Sequence, residues 1–367
     1  MFNITSDIHI DMYYHTNIPK FKQYDYIMGN TDALSEKLKD TVRMNVDNYI
    51  YSMIKNTDEI EDTLIISGDI ANNNTYSKEF LIKASSIWKN VWYTDGNHEY
   101  YFQDKDSGDN RLYKLIEDLK DYPNIKYVAN TVQEIKNKEK TLKIGFLPLM
   151  YNMNNPKVRY AFNHFMNDEH FITEDYLYES YRKGYSFYTK EIYGKCDICV
   201  SHVPVLKLEG TRGKETTYFT KLKLDPNIIY FFGHTHENEE VTNYIKKEDG
   251  TKASVKGYNI GVGYPPDYGR GVGIPHLRTF KWLEKENKLT EISCNIEQNK
   301  TDLEQENNEL MKKYARKFIR LYNLEYDGDV NYSHVYRNKT DLEREIKELV
   351  KKYVGKIKAF DILNKRK

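Results

Sequence analysis

The chain has 367 residues, 39% apolar and 30% charged, which suffices for a sizeable core and excludes a disordered composition. Lys+Arg and Asp+Glu each number 55, so the net charge is zero, which argues against a dedicated, strongly basic nucleic-acid binder. Three cysteines without framework spacing, the start MFNITSDIHI without a basic-then-apolar leader, and no apolar window near ~18 residues predict a cytoplasmic protein without a membrane segment.

In chain order, FNITSDIH (2–9) is an apolar run that ends in Asp7 and His9. Leu34, Leu38, Val42, Val46, Ile50 and Ile54 then recur every fourth residue, the period of an amphipathic helix. TLIISGDI (63–70) reads as a buried strand ending in Gly68-Asp69. A second helical pattern spans roughly 77–89 and leads into VWYTDGNHE (91–99). Residues 125–150 read as further strands, and 151–171 as a polar, aromatic loop region. Thr173 is placed to cap a helix carrying Glu174 and Asp175 in its first turn. DICVSHVP (197–204) and IIYFFGHTH (228–236) are the last two strand-like runs with polar ends. Asp249-Gly250 sits between two alternating runs, a hairpin signal, and strands continue to about residue 293.

The tail is of another kind. NKTDLEQENNELMKKYARKF (299–318) and NKTDLEREIKELVKKYVGKI (338–357) match at 13 of 20 positions, 39 residues apart. Thr301/Glu304 and Thr340/Glu343 form capping boxes, so each copy predicts a helix. Two copies are too few for a solenoid. The expected division is therefore 1–295 as the main domain and 296–367 as a helical module that docks on it, on a second copy or on a protein partner.

Strand–helix–strand alternation implies parallel strands with helices outside, and ligands gather at the carboxyl ends of such strands. Those ends carry Asp7, His9, Asp69, Asn97, His98, His202, His234 and His236. Asp7 and His9 are two apart, as are His234 and His236, so in an extended segment each pair points to one side. Glycines 68, 96 and 233 stand where the chain turns close to a ligand. Alone, each motif is more often a capped turn or a satisfied core histidine. Together, seven of these residues, two carboxylates, four imidazoles and one amide, make a mixed oxygen and nitrogen set, free of thiolate, suited to two divalent cations. Such a pair can activate water and hold phosphoryl oxygens during in-line displacement.

The ordered motifs Asp7-Ile8-His9, Gly68-Asp69, Gly96-Asn97-His98-Glu99, His202 and Gly233-His234-Thr235-His236 resemble those of the calcineurin-like metallophosphoesterase superfamily, over roughly residues 1–280. The resemblance implies a four-layer α/β/β/α sandwich and a metal-dependent hydrolase of phosphoric esters. It implies that Asp7, His9 and His236 hold one metal, that Asn97, His202 and His234 hold the other, and that Asp69 bridges them. A metal-bridging hydroxide would attack the ester, taken to be a phosphodiester, while His98 faces the leaving group as its acid. Mn²⁺ is the first expectation for the metals, with Fe, Zn, Ni or Co as alternatives. GDIANN lacks the Asp-Arg pair of the protein Ser/Thr phosphatases, and Asn72 replaces the tyrosine ligand of purple acid phosphatases. SDIHID, GNHEYY and GVGYPPDYG look more like the small bacterial and phage-type phosphoesterases of undefined substrate. The double-strand-break repair nucleases share the five motifs and keep a DNA or RNA nuclease open as the alternative, although Asp11 and Glu99 replace their usual glycine and aspartate. Nucleic acid is thus an allowed substrate and not a required one. A partner-recruiting protein with an incidental site is the third reading, and the intact ligand set argues against it.

Three substrate contacts are expected: Arg159 and Arg212, in loops overhanging the metals, as phosphate clamps, and Tyr100 as a wall of the site. Cys196 and Cys199 read as buried thiols, without a second pair to make a zinc site. His15, His164, His170, His276 and His334 receive no role.

Overall fold

The computed structural model describes residues 1–14, 18, 20–57, 59–103, 110–136, 140–208, 220–247, 249–265, 275–283 and 288–292. All of them fall within one compact unit, Met1–Asn295. The repeat-bearing tail, with its proposed helices, lies outside the described residues.

In chain order the strands are β1 (Phe2–Thr5), β2 (Thr63–Ser67), β3 (Asn90–Thr94), β4 (Ile125–Tyr127), β5 (Thr131–Lys136), β6 (Thr141–Phe146), β7 (Ile198–Val200), β8 (Ile229–Phe232), β9 (Asn238–Lys246), β10 (Lys252–Ile260), β11 (Arg278–Leu283) and β12 (Lys288–Ile292). The α-helices are α1 (Ile10–Tyr13), α2 (Gln23–Met28), α3 (Glu36–Lys55), α4 (Asn74–Ser85), α5 (Arg111–Asp118), α6 (Pro156–Phe165) and α7 (Glu174–Phe187). One sheet runs β12-β11-β1-β2-β3-β4, the other β5-β6-β7-β8-β10-β9. β1, β2, β3 and β4 are parallel neighbours, as are β6, β7, β8 and β10, while the outer pairs β1/β11, β11/β12, β5/β6 and β9/β10 are antiparallel.

The central strands are apolar on both faces because both faces are covered. Ile65 points between the sheets with Phe2, Ile4, Trp92, Phe146, Val200 and Phe231, where Trp92 meets Phe146 and Phe2 meets Phe231 edge to face at 6.1 and 5.8 Å. Its neighbours Leu64 and Ile66 turn the other way, onto Val46, Ile50 and Phe80 of α3 and α4. On the far side Leu177, Tyr188 and Ile192 cover Cys199 and Tyr230. Two mixed sheets flanked by helices are the expected four-layer sandwich.

Local chemistry explains the boundaries. Ser35 caps α3 and Thr173 caps α7, as its sequence predicts. α4 starts before residue 77 because the Asn73 side chain accepts from Tyr76 N and opens the helix there. The expected loop at 151–171 is corrected: Asn155 caps α6 and Pro156 occupies its first position, where a missing N–H has no consequence. Asp249 turns the β9–β10 hairpin by accepting from Thr251 N at 2.9 Å. Among the described residues, no helix is long and apolar enough to cross a membrane.

Candidate metal centre

β1, β2 and β3 of one sheet and β7 and β8 of the other deliver their carboxyl ends to one place. Asp7, His9, Asp69 and His202 are at most 1% exposed there, and Asn97 and His98 are buried with them. The pairs do not converge by strand alternation, which corrects the sequence reading. Asp7, His9, Asp69, His234 and His236 all have left-handed backbone, with φ of 54°, 42°, 58°, 71° and 58°. Non-glycine residues avoid this region, and such strain gathers where function requires it. Gly96 leaves the room one carboxylate needs, since a Cβ there would lie 2.2 Å from Asp69 Oδ1.

Donor atoms of Asp7, His9, Asp69 and His236 lie within 4.8 Å of one another. His9 Nε2 and His236 Nε2 are 3.1 Å apart, and Asp7 Oδ1 is 3.4 Å from His236 Nε2. A second group forms around Asn97 Oδ1, which is 3.1 Å from both His202 Nε2 and His234 Nδ1. Asp69 Oδ2 faces both groups, 3.7 Å from His9 Nε2 and 3.3 Å from His202 Nε2. Donors on one cation at bonds of about 2.0–2.2 Å are spaced roughly 3.0–3.5 Å apart; the His9–His236, Asp7–His236, Asn97–His202, Asn97–His234 and Asp69–His202 separations fall in that range, and Asp69–His9 lies just outside it. The donor types, carboxylate, amide and imidazole, fit divalent cations of intermediate hardness.

The electrostatics agree for three of the four imidazoles. Burial lowers the His9 pKa well below the ordinary value, with His98 adding to it, and burial lowers His234 to about 3 and also lowers His236. These imidazoles keep the lone pairs a metal needs. Burial opposes charge on His202 too, but the neighbouring Asp69 carboxylate prevails and raises it to about 10. Burial penalises ionised Asp69, yet the imidazoles of His202 and His98 hold its pKa well below the usual range.

His98 Nδ1 meets Asn72 Oδ1 at 2.6 Å, its ring stacks on Tyr101 at 4.1 Å, and its Nε2 lies 3.9 Å from Asp69 Oδ2. Burial pushes its pKa down to about 4, so in this state it is neutral. Residues without an assigned role in the sequence hold the centre in place. Glu99 accepts from the backbone N–H of Asp69, Ile70 and Gly96 at 2.7–2.9 Å, fixing two motif loops together. Burial raises its pKa to about 7. Arg111, fully buried, donates to the carbonyls of His98 and Tyr101 at 2.9 and 2.6 Å. Asp168 accepts from Asn97 Nδ2, Tyr101 OH and Tyr151 OH. Of these, only Glu99 carried a sequence signal, through its place in GNHE.

The proposed substrate contacts do not gather at the centre as the proposed ligands do. Tyr100 is 1% exposed, with its hydroxyl on Asp95 Oδ2 at 2.9 Å, so it belongs to the core, and Tyr101 is the aromatic lying on His98. The reason is the 3₁₀ turn His98–Tyr100, which turns Tyr100 inward. Arg159 stands on α6, not on a loop, and pairs with Glu174 at 3.3 Å. Arg212 lies outside the described residues, as do His15 and His334. Cys196 and Cys199 are buried free thiols. His276 Nε2 contacts Asn238, while His164 and His170 lie on the surface next to Tyr160 and Glu169.

The family model described as calcineurin-like phosphoesterase matches residues 2–238, a span that holds all five strand-end motifs. Among solved structures, the chain is similar to a phosphopantetheinyl hydrolase from Mycobacterium tuberculosis, at 16% identity over 73% of this chain and 91% of that one, with a TM-score of 0.45. It is also similar to a protein of unknown function from Aquifex aeolicus, at 20% identity over 57% and 82%, TM-score 0.24. A dimetal phosphatase from Danio rerio is a third, at 12% identity over 80% and 98%, TM-score 0.29. No curated protein matches the sequence.

Proposed function

The chain belongs to the calcineurin-like phosphoesterase family and is a metal-dependent phosphoesterase; from that premise we propose that it hydrolyses a phosphodiester with two Mn²⁺ ions. Asp7, His9 and His236 hold one ion, Asn97, His202 and His234 the other, and Asp69 both. The observation that carries this reading is the position of Asp69 Oδ2 between the two donor groups. When bound, the ions supply positive charge for the phosphoryl oxygens and lower the pKa of the attacking water.

Asn72 Oδ1 accepts from His98 Nδ1–H, which leaves Nε2 to meet the leaving oxygen. Nε2 must carry a proton to act as an acid; burial disfavours it and the negative charge of a bound ester favours it. The choice of a diester rests on the described arginines, Arg43, Arg111, Arg159, Arg182 and Arg278. Each already pairs with a carboxylate or with backbone carbonyls, and a diester, which brings one negative charge instead of two, asks less of them. Free, buried Cys196 and Cys199 support a reducing, cytoplasmic location.

The test is turnover with Mn²⁺ of p-nitrophenyl phosphate, its bis ester, a cyclic nucleotide and single-stranded DNA. The bis ester should exceed the monoester; the reverse order would overturn the diester reading, and preference for DNA would favour a nuclease. His98→Ala should keep both ions and lose roughly 10²–10⁴-fold in turnover of a diester with a poor leaving group, with a smaller loss for p-nitrophenol esters. Equal losses on both would make His98 a positioning group instead of an acid.

A further inference from the structure

Asp168 lies in the 3₁₀ turn Asn167–His170, away from every strand-end motif, and is 1% exposed. Its partners are neutral: Asn97 Nδ2 at 3.0 Å and Tyr101 OH at 2.7 Å on Oδ1, and Tyr151 OH at 2.9 Å on Oδ2. The Asp168 oxygens accept from both tyrosine hydroxyls, and Oδ1 also takes the Asn97 NH₂, the donor end of the amide. The carbonyl oxygen is then turned the other way, onto His202 Nε2 and His234 Nδ1. The two ends of an amide have nearly the same shape, and packing alone chooses poorly between them. Reversed, Asn97 would turn N–H donors towards the cation and bind nothing.

We propose that Asp168 is the positioning residue of the second metal half-site, selecting the amide orientation that makes Asn97 a ligand. The inference rests on the reading that Asn97, His202 and His234 hold one ion. Outer partners of this kind typically change metal affinity 10–100-fold. A bland alternative gives Asp168 only a packing role, joining the turn to Tyr101 and Tyr151. The two differ in how Asp168 interacts with Asn97.

Calorimetric titration of Mn²⁺ into the metal-free full chain tests this. Wild type should bind two ions. Asp168→Ala should weaken the second by roughly 10–100-fold and the first by no more than about 3-fold. Asn97→Asp should weaken binding beside Asp168, where two carboxylates would oppose each other. In the Asp168→Ala background the same change should instead restore most of the lost affinity, because an aspartate has two equivalent oxygens and no orientation to select. Failure of that rescue, or two ions bound by Asp168→Ala as in wild type, overturns the proposal. If Asp168→Ala does not fold by circular dichroism, Asp168→Asn keeps the volume and should weaken the second ion alone by roughly 3–10-fold; unchanged binding there also overturns it. Wild type binding a single ion would defeat the two-ion reading itself, and this inference with it.

Discussion

Asp7, His9 and His236 all stand on left-handed backbone, whereas of Asn97, His202 and His234 only His234 does. The first group is aimed by the main chain. Asp7, for instance, is held by His234 N, which donates to both its oxygens at 2.9–3.0 Å. The second group leans more on side chains, Asn97 on Asp168 and His234 Nε2 within 3.5 Å of Tyr151 OH, although the His202 ring meets the Ser67 carbonyl at 2.7 Å. Two half-sites with similar donors thus depend on different parts of the sequence. The first should be sensitive to added bulk beside its backbone, the second to the loss of distant polar groups.

The largest effect should come where the halves meet. Asp69→Asn removes a charge that both share, and each Mn²⁺ should weaken by more than about 10²-fold, beyond the range for outer partners. Metal analysis that finds two full equivalents would end the claim that Asp69 joins the halves. A smaller and one-sided effect is expected from Gly261→Ala, whose Cβ would lie 3.0 Å from both Asp7 Oδ2 and the His236 Cα. The first ion should weaken about 10-fold and the second hardly at all. Equal weakening of both would show that the backbone does not favour one half. Least of all, Tyr151→Phe should weaken only the second ion, by less than the roughly 10-fold that begins the range for outer partners, because Asp168 keeps its two other partners. A Tyr151→Phe effect on the first ion would break the comparison from the other side.

The proposed ligands are legible because each sits in a short motif at the end of an apolar run, and strand ends announce themselves. How the pairs converge was not. Nothing in the residue types of Asp7 or His9 declares a positive φ, which arises only once Asp7 N donates to the Gly68 carbonyl and His9 N to that of Asp69. Asp168 was out of reach for another reason: it lies 71 positions from Asn97, in a turn whose sequence, FMNDEH, carries no pattern. Between Tyr100 and Tyr101 the sequence offered no choice, since a single 3₁₀ turn decides which faces inward. The helix carrying Arg159 was recoverable, because Asn155-Pro156 is a start signal of the ordinary kind. The alternation of Leu64, Ile65 and Ile66 between two cores needs two covered sheet faces, of which strand–helix–strand alternation implies only the one under the helices.

The two sheets are also stitched together beside the centre. Ser6 N donates to the Ile260 carbonyl at 3.2 Å, Val262 N to that of Ser6 at 2.9 Å, and Ser67 Oγ to that of Ser201 at 2.7 Å. Each proposed ion would take donors from both sheets across this same seam. Breathing of the sandwich would then have to begin at the opposite end, and the seam amides of Ser6 and Val262 should exchange their hydrogens more slowly once Mn²⁺ is bound.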